Sequence, residues 1–595
     1  MHLKAGGIRI LIIVVVLVAF WAFMFGPLSY LIPGKGPTKS LAVKTVTLAN
    51  MANVKSNAPE LPLPSTDPVA IEGPTFKAEV MGWNAQFSWM LANGGPQTTR
   101  GSLMEKYGVA MTLECQNDCD QMKNDIIAFA NDLKNGNAYP TANPAFVAIM
   151  GDGLAQFLAS INPTLKKLGD GTDMYIASAV GSSGYSFGED ALWGPRIWLD
   201  NPASMKGCVI AGYLRDGDWN IAMKWIADHG IKNNPDETTY DPDAVNWISA
   251  KDYIDAAQKY IGGASEERPI VKDGKKTGGM KKVTAEGVVT WTPGDVNIAE
   301  QKGGLIQVVS TRKYTGQMPQ AIVGINTWMK DNRKFVKGMI RAIGEAGDQI
   351  KQYPTAKRRA AEVSAAVYKD KDADYWLRYH DGVRETDVTG VQVDLGGSKP
   401  NNLADMYLLF GPSALLKSTY VAFGNVVVQQ YPKLVPSFPP PEEAIDGSYV
   451  LEVVSETKTS TATATQYTFT ASTALKEVVG KRKYQIQFAT GSDRISGGQE
   501  DILENLKDEL AVSISLKAVI HGHTDNVGNP ESNFTLSRAR AASVKRWLET
   551  KYPDVFPSGR LAVVAHGQEK PIADNTTSEG RSQNRRVEVV TGTEQ

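Results

Sequence analysis

The sequence HGHTDNVG at residues 521–528 stands between two runs whose apolar residues follow different periods. Residues 516–520, just before it, are mostly apolar and predict a strand. Residues 538–550, after it, carry Ala, Val and Trp at helical spacing and predict a helix. Asp525 is therefore expected where the strand ends, and Arg540 is expected in the first turns of the helix.

The carboxylate of Asp525 and the guanidinium of Arg540 permit two interpretations. In the first, they form a plain salt bridge within the protein. In the second, they lie together at a loop over the start of a helix and hold a ligand that carries both an amine and a carboxylate. The two residues by themselves leave both interpretations open.

The sequence blocks that contain and follow these two residues stand in an order that is typical of a known family. They are GHTDNVG at 522–528, Asn533, LSRARA at 536–541 and GRSQNRRVE at 580–588. Over residues 480–592 the chain resembles the OmpA-like peptidoglycan-binding domain.

This resemblance implies an α/β domain at 480–595 and a ligand for it. In that family, the residues that match Thr524, Asp525 and Arg540 belong to the steps that bind the diaminopimelate of the peptidoglycan stem peptide. The resemblance also implies that Asn533, Arg585 and Arg586 line the same region.

Length, charge and cysteine content limit the number of domains and the kinds of partner that the chain can have. The 595 residues allow roughly three or four domains. The net charge of -1 provides no broad basic field, so no nucleic-acid partner is expected. Cys115 and Cys119 form either a local disulfide or two separate thiols, and no histidine or second cysteine pair stands nearby to complete a metal site.

The N-terminal segment predicts a membrane anchor at residues 1–32. Residues 10–25 are unbroken apolar sequence, about 24 Å long at about 1.5 Å per residue, and apolar residues continue to residue 32. Lys4 and Arg9 precede the run, which predicts a single-pass protein of the inner membrane with a cytoplasmic N-terminus and a periplasmic body. A cleavable signal peptide is the alternative, but no A-x-A site follows the run. Residues 33–74 are rich in proline and predict an extended linker.

Residues 75–431 alternate short apolar runs with helical patterns, which predicts α/β structure with parallel strands. In such sheets, ligands collect at the carboxyl ends of the strands. The side chains at four predicted strand ends are therefore candidate solute ligands: Trp83, Asn84 and Gln86; Asp152 and Gly153; Ser182 and Ser183; and Trp291.

Several blocks of this region resemble periplasmic solute-binding proteins of the nitrate, sulfonate and taurine transporter class. They are Gly82-Trp83, LANGG at 91–95, KYGV at 106–109, MKGCV at 205–209 and DNRKFVK at 331–337. The resemblance spans about 75–370 and implies a two-lobed, type II periplasmic-binding-protein-like domain, with two crossings, that closes on a small ligand. Asp152 would repel nitrate or a sulfonate, which leaves an amine-bearing or a neutral solute.

Residues 432–479 predict a second linker, with 449–454 as a short strand within it and a strand at 484–488 after it. No pattern predicts an enzyme, a cofactor or a metal centre, because His229 and His380 stand alone and no GxSxG, HExxH or P-loop motif occurs. The acidic pair Glu189-Asp190 is expected to be solvated or to face a ligand.

Together these patterns predict a membrane-anchored periplasmic protein that binds a small solute and attaches without covalent bonds to peptidoglycan. The alternative is a structural tether or interaction platform beside a transporter or another membrane complex, with no solute bound. The sequence identifies neither the solute nor the membrane partner.

Overall fold

The computed structural model describes residues 59–215, 217–457, 467–488 and 491–594. The predicted anchor at 1–32 and the first part of the predicted linker, 33–58, lie outside the described residues. Among the helices that are described, none has both the length and the apolar character needed to cross a bilayer. The described residues belong to one compact unit, Val46–Gln595.

Strands and helices alternate through the middle of the chain, and the predicted α/β class is confirmed. The strands, in chain order, are β1 (Phe76–Val80), β2 (Met111–Cys115), β3 (Pro144–Met150), β4 (Ala177–Gly181), β5 (Gly184–Ser186), β6 (Ala191–Gly194), β7 (Val209–Gly212), β8 (Lys232–Asn233), β9 (Ala244–Ser249), β10 (Ser265–Lys272), β11 (Lys275–Thr284), β12 (Gly287–Thr290), β13 (Ile306–Ser310), β14 (Gln320–Ile325), β15 (Val383–Thr386), β16 (Gln392–Leu395) and β17 (Ser398–Pro400). The helices are α1 (Phe87–Asn93), α2 (Leu103–Lys106), α3 (Cys119–Lys134), α4 (Leu154–Leu168), α5 (Arg196–Asp200), α6 (Gly217–Asp228), α7 (Tyr253–Ile261), α8 (Gly294–Gln301), α9 (Asn326–Asp331), α10 (Arg333–Gln352), α11 (Pro354–Tyr368), α12 (Ala373–His380), α13 (Leu403–Phe410), α14 (Leu415–Gln430), α15 (Pro441–Ala444) and α16 (Ser448–Glu456).

Two sheets form two lobes. The first lobe is built on a five-stranded sheet with the order β2-β1-β3-β14-β4, in which β14 alone runs antiparallel to its neighbours. The second lobe is built on a six-stranded sheet with the order β13-β6-β12-β7-β9-β8. β3, with the sequence PAFVAIM, is buried along its whole length, as is typical of a parallel strand in a sheet covered on both faces.

The chain passes between the lobes at 182–190 and again at 311–319, which join β4 to β6 and β13 to β14. A further excursion was not predicted. Val393 and Leu395 of β16 are buried in the core of the second lobe, and β17 then returns to pair with β5 of the first crossing. The lobes are therefore joined by more than the two crossings that the resemblance implies.

The short strand predicted at 449–454 is wrong, because these residues belong to helix α16. Tyr449, Val450 and Val453 are buried where α16 packs against α10 of the first lobe. Their spacing satisfies a helix face, and a short apolar run cannot distinguish strand from helix by its sequence. An ion pair of 2.6 Å between Glu452 and Arg333 also holds α16 in place, so this part of the predicted linker packs on the lobe.

The cysteines are free thiols, which decides between the two interpretations of Cys115 and Cys119. Cys119 is buried at the first turn of α3, and Cys115 is half-buried at the end of β2. Burial raises the pKa of Cys115 to about 11, so this thiol is protonated and unreactive at neutral pH.

The C-terminal domain contains one four-stranded sheet and three helices. They are β18 (Glu477–Tyr484), α17 (Glu500–Ala511), β19 (Lys517–His523), α18 (Pro530–Lys551), β20 (Leu561–Gly567), α19 (Ser578–Asn584) and β21 (Val587–Thr593). The sheet order is β18-β21-β19-β20, with β19 parallel to β20 and the other pairs antiparallel. Ala518 and Ile520 of β19 share a buried core with Ala541 and Val544 of α18.

Two boundaries in this domain differ from the predictions. The strand predicted at 484–488 ends at Tyr484, because the ladder between β18 and β21 uses the more polar residues before it. Helix α18 begins at Pro530, since the Asn529 side chain accepts hydrogen bonds from the amides of its first turn. Arg540 consequently lies in the third turn of the helix and not near its start.

Candidate ligand-binding sites

Asp525 lies two residues beyond the end of β19 and lines a cleft of about 1100 Å³ in the C-terminal domain. Its Oδ1 accepts a hydrogen bond of 3.1 Å from the Val527 amide. Its Oδ2 accepts one of 2.7 Å from Nη1 of Arg585. The Asp525 side chain is 12% exposed and that of Arg585 is 44% exposed. The carboxylate is therefore mostly buried in the cleft wall, whereas the guanidinium of Arg585 reaches solvent.

Arg540 lines the same cleft from α18. Its Nε donates a hydrogen bond of 3.1 Å to the carbonyl oxygen of Ser492, and its guanidinium lies 5.0 Å from the centre of the Phe488 ring. Burial lowers the pKa of Arg540 and the nearby Asp525 carboxylate opposes that shift, but an arginine stays charged at physiological pH.

Asp525 and Arg540 do not form a salt bridge with each other. Within the described ranges, the ion-pair partner of Asp525 is Arg585, and no carboxylate lies within 4.0 Å of Arg540. The two terminal nitrogens of Arg540 likewise have no hydrogen-bond partner among those residues. Hence the guanidinium has donors available for a ligand, and Asp525 has lone pairs available on the same cleft.

Asn533 and Thr524, two further predicted site residues, shape the loop. The Asn533 Nδ2 group donates to Gln568 Oε1 at 2.8 Å and to the Val527 carbonyl at 3.1 Å. The Thr524 amide donates to the Gly567 carbonyl at 2.8 Å. The Nδ2 group of Asn533 thus helps to hold the Asp525 loop in position, and Asn533 also lines the cleft.

Arg585 lines the cleft, but Arg586 does not. The Arg586 Nε donates to Glu588 Oε1 at 2.8 Å, and its Nη2 donates to the Lys570 carbonyl at 3.1 Å. The prediction that Arg586 lines the same region is therefore wrong. Adjacent residues of an extended segment point to opposite faces, so the two arginines before β21 serve different sides of the sheet.

Arg540 also contacts two residues that were not among the predicted site residues. Phe488 lies under its guanidinium, and Ser492 supplies the carbonyl that accepts from Nε. Both belong to the connection between β18 and α17. Phe488 ends the alternating sequence YQIQF at 484–488, which predicts a strand and not a contact with a cation. The aromatic residue near the domain start is the one signal available, and it does not specify which cation it will meet.

The predicted solute ligands lie between the two lobes, and three of the four strand ends come together there. Trp83 Nε1 donates to Asp190 Oδ2 at 3.1 Å, and Asn84 Nδ2 donates to Glu189 Oε1 at 3.2 Å. The Ser183 hydroxyl donates to the Ala85 carbonyl at 3.3 Å.

The other predicted ligands of these three strand ends bond nearby, whereas Asp152 of the fourth has its partner in the second crossing. Ser182 donates to the Gly184 carbonyl at 3.2 Å, Trp291 Nε1 donates to the Gly82 carbonyl at 3.3 Å, and Gln86 bonds to backbone beside it. Asp152 accepts a hydrogen bond of 2.8 Å from Gln317 of the second crossing, and Gly153 follows it at the start of α4. All of these side chains are buried.

Glu189, Asp190 and Asp295 form a buried acidic cluster beside these residues. Of the two expectations for Glu189 and Asp190, solvation is therefore wrong, and the expectation that they face a ligand stays a prediction. All three are 0% exposed. Burial raises the pKa of Glu189 well above its ordinary value and raises the pKa of Asp295 to about 6. Within the part of the chain that is described, no lysine or arginine forms an ion pair with any of them. The raised pKa values mean that these carboxyls hold protons more readily than usual, and a cation bound beside them would favour their charged forms.

Comparison with known proteins places the cleft in a family. Residues 487–585 match the OmpA family. The C-terminal domain is an OmpA-family domain. The match ends at Arg585 and includes both Asp525 and Arg540.

Relatives with this domain include envelope proteins. Outer membrane porin F of Pseudomonas aeruginosa is 34% identical over 116 residues, which cover 20% of this chain and 32% of the porin. The peptidoglycan-binding protein ArfA of Mycobacterium tuberculosis is 34% identical over 105 residues, which cover 18% of this chain and 31% of ArfA. The chain therefore spans about a third of the length of these relatives.

The middle domain is similar in structure to the periplasmic nitrate-binding protein NrtA of Synechocystis PCC 6803. The similarity covers 66% of this chain and 90% of NrtA, with 13% identity and a TM-score of 0.43.

The outer face of the OmpA-family sheet carries three stacked histidines. The ring of His566 lies 5.1 Å from that of His521 and 4.8 Å from that of His523. Burial, followed by neighbouring positive groups, lowers the pKa of His521 to about 4 and that of His523 to about 3. As the pH falls below 6.5, the histidines of the unfolded chain bind protons before those of the folded domain do, so the domain loses stability between pH 6.5 and about 3.

We expect His523→Phe to raise the free energy of unfolding of this domain by about 1 kcal/mol and to weaken its acid dependence. His523 is buried, and neither of its ring nitrogens has a hydrogen-bond partner among the described residues. Urea denaturation at pH 7 and pH 5 measures both effects. His229→Phe is the control, because His229 is bonded to the Trp225 carbonyl at 2.8 Å in the second lobe. If the stability of His523→Phe depends on pH as that of the wild type does, His523 is not a source of the acid dependence.

Proposed function

We propose that this chain is a cell-envelope protein that binds peptidoglycan through its OmpA-family domain. The observation that carries the proposal is the cleft, in which Asp525 and Arg540 bind different partners and each keeps capacity for a ligand. Diaminopimelate, the ligand implied by the resemblance, carries amine and carboxylate groups on one small molecule. Its amine can donate to Asp525 while its carboxylate accepts from the terminal nitrogens of Arg540.

Asp525→Ala and Arg540→Ala are each expected to weaken binding to purified peptidoglycan by about 30-fold or more. Each change removes one partner of a charge-assisted contact and leaves the opposite ligand charge unpaired, which costs about 2–5 kcal/mol. Co-sedimentation of the full chain with peptidoglycan measures the loss.

Arg538→Ala is the matched control for this test. Arg538 is an exposed residue of the same helix, two positions before Arg540, and is expected to leave sedimentation unchanged. If Asp525→Ala and Arg540→Ala both sediment like the wild type, peptidoglycan binding at this cleft is excluded.

The middle domain is proposed to bind a small solute between its lobes, and the acidic cluster supports a solute that is cationic or neutral. Glu189, Asp190 and Asp295 are buried without a basic partner among the described residues, so a protonated amine is favoured and nitrate or a sulfonate is disfavoured. Thermal melting with a panel of amines and with nitrate and taurine tests this. Amines are expected to raise the melting temperature, and a rise with nitrate instead would contradict the proposal.

A structural tether or interaction platform is the second candidate. The observation that favours it is that the Trp83 and Asn84 donors are already bonded to Asp190 and Glu189. No solute would then change the melting temperature, while binding to peptidoglycan would remain. In either case the role is binding without catalysis.

The proposed location is the inner membrane, with the body of the chain in the periplasm. It rests on the apolar run at residues 10–25 and on the basic residues before it. Cell fractionation tests it, because removal of residues 1–32 should then move the protein from the membrane fraction to a soluble one.

A further inference from the structure

The OmpA-family domain contacts both lobes of the middle domain. Its edge strand β18 packs against α6, which belongs to the second lobe. Its helix α17 packs along α14, which in turn packs on α4 of the first lobe, and Lys507 Nζ donates to the Ser418 hydroxyl at 3.4 Å. The domain thus spans the gap between the two lobes.

The contact with the second lobe is centred on Asp228, whose side chain is 4% exposed. Its Oδ1 accepts from Arg482 Nε of β18 at 2.7 Å. Its Oδ2 accepts from Lys224 Nζ at 3.0 Å and from the Tyr314 hydroxyl at 3.1 Å. Arg482 also pairs with Glu509 of α17 at 2.6 Å, so one arginine links the second lobe to the interior of the OmpA-family domain.

The same domain is bonded to the second crossing between the lobes. The Gly316 amide donates to the Val512 carbonyl at 2.9 Å, and the Ser515 amide donates to the Thr315 hydroxyl at 3.1 Å. A Cβ atom at Gly316 would lie 2.3 Å from the Ala511 carbonyl oxygen, so only glycine permits this approach. Lys313, in the same crossing, forms an ion pair with Glu477 of β18.

We propose that the OmpA-family domain is a brace across the hinge between the lobes and fixes the angle between them. Lobes of this kind move by changes in the backbone dihedrals of a few residues in the crossings. The Gly316 backbone cannot move far without losing its bond to Val512, and movement at 313–315 would strain the side-chain contacts of Lys313 with Glu477 and of Thr315 with Ser515.

A consequence of the brace is energetic coupling between the two ends of the molecule. If the lobe angle and the docking of the OmpA-family domain depend on each other, then whatever shifts one shifts the other by the same factor. A solute that closes the lobes would therefore tighten or loosen the docked domain. The brace itself requires neither a solute nor peptidoglycan, so it goes beyond the proposed function and can be tested separately.

The test is a pulsed electron spin resonance measurement of the distance between the lobes in the full chain, without added ligand. Spin labels are attached at Met174→Cys in the first lobe and Ile197→Cys in the second, whose native side chains are 52% and 51% exposed. Cys115→Ser removes the one native thiol that is not buried. We expect Arg482→Ala to broaden the distance distribution and to shift its mean by more than about 2 Å.

A second variant breaks the same contact without removing a charge. A Cβ atom at Gly480 would lie 2.9 Å from Asp228 Oδ2, so Gly480→Val should push β18 away from α6 and produce the same broadening. Lys483→Ala is the matched control, because Lys483 is an exposed residue of the same strand and should leave the distribution unchanged.

The brace is overturned if Arg482→Ala and Gly480→Val both give the distance distribution of the wild type. Asp525→Ala separates this outcome from a failure of the proposed function. It should abolish sedimentation with peptidoglycan and leave the distance between the lobes unchanged.

Discussion

Arg560→Met is expected to destabilise the OmpA-family domain by about 3 kcal/mol or more, because it removes the side-chain donor from four buried carbonyl groups, of which those of Leu510 and Ser513 keep a backbone donor. The Arg560 side chain is fully buried. Its Nε donates to the Leu516 carbonyl at 3.1 Å, and its Nη2 donates to the Leu510 and Ser513 carbonyls at 2.6 and 3.0 Å. Its Nη1 donates to the Val555 carbonyl. Methionine fills similar apolar volume but donates none of these bonds.

The positions of these carbonyls explain why the loss of stability should affect more than one element of the domain. They lie at the end of α17, at the start of β19 and beyond α18, so Arg560 joins three elements at one point. The turn after α17 also contains Val512, which accepts from Gly316 of the middle domain. Loosening this turn should therefore weaken the brace as well as the domain.

Chemical denaturation of the full chain, followed by its tryptophan fluorescence, measures the effect. Arg538→Met makes the same chemical change at an exposed position of this domain and is expected to alter stability by no more than about 0.5 kcal/mol. Arg560→Lys keeps the charge but replaces a planar fork with a single nitrogen, so we expect an intermediate loss. Equal stability of Arg560→Met and the wild type would show that the buried guanidinium contributes nothing net.

Asp228→Ala is expected to cost about 3–5 kcal/mol, because it leaves Lys224 and Arg482 facing each other in a buried site without their shared anion. Burial alone would raise the pKa of Asp228, but the two cations outweigh it and hold the pKa below its ordinary value of 3.8. A depressed carboxylate pKa means that this contribution is complete above pH 3.8 and is lost as the pH falls below it.

A double-mutant cycle with Arg482→Ala isolates the contact between the domains. The loss in the double variant should be smaller than the sum of the single losses by about 0.5–3 kcal/mol. Asp120→Ala is the control, because the Asp120 side chain is 73% exposed and pairs with Lys123 at the surface of α3. Strict additivity would mean that the 2.7 Å contact between Asp228 and Arg482 carries no coupling energy.

Local patterns predicted most of the elements that position the cleft. Residues 516–520 predicted a strand, and β19 occupies Lys517–His523. The helix predicted from residue 538 is α18, but its start at Pro530 was missed, because its first turn, PESN, is polar and the cap at Asn529 stands outside any apolar pattern. The short apolar run at 449–454 was assigned to a strand although it forms a helix, because so short a run does not distinguish the two periods.

Ion pairs between side chains were harder to predict than secondary structure. The sequence placed Asp525 and Arg540 on one loop and one helix, which made a salt bridge between them a natural interpretation. In the structure, Arg585 reaches Asp525 from 60 residues further along the chain. Which of two arginines meets a carboxylate depends on distances of a few ångströms, and no periodicity in the sequence contains that information.

The sequence by itself determined the α/β class and the strand–loop–helix unit that presents Asp525. Those features depend on hydrophobic period and on short motifs, which act over a few neighbouring residues. Only the tertiary structure decided that Arg586 faces away from the cleft, that Glu189 and Asp190 are buried, and that Arg482 joins β18 to Asp228. These arrangements require packed elements from distant parts of the chain, because burial and ion pairing arise only when the whole core has assembled.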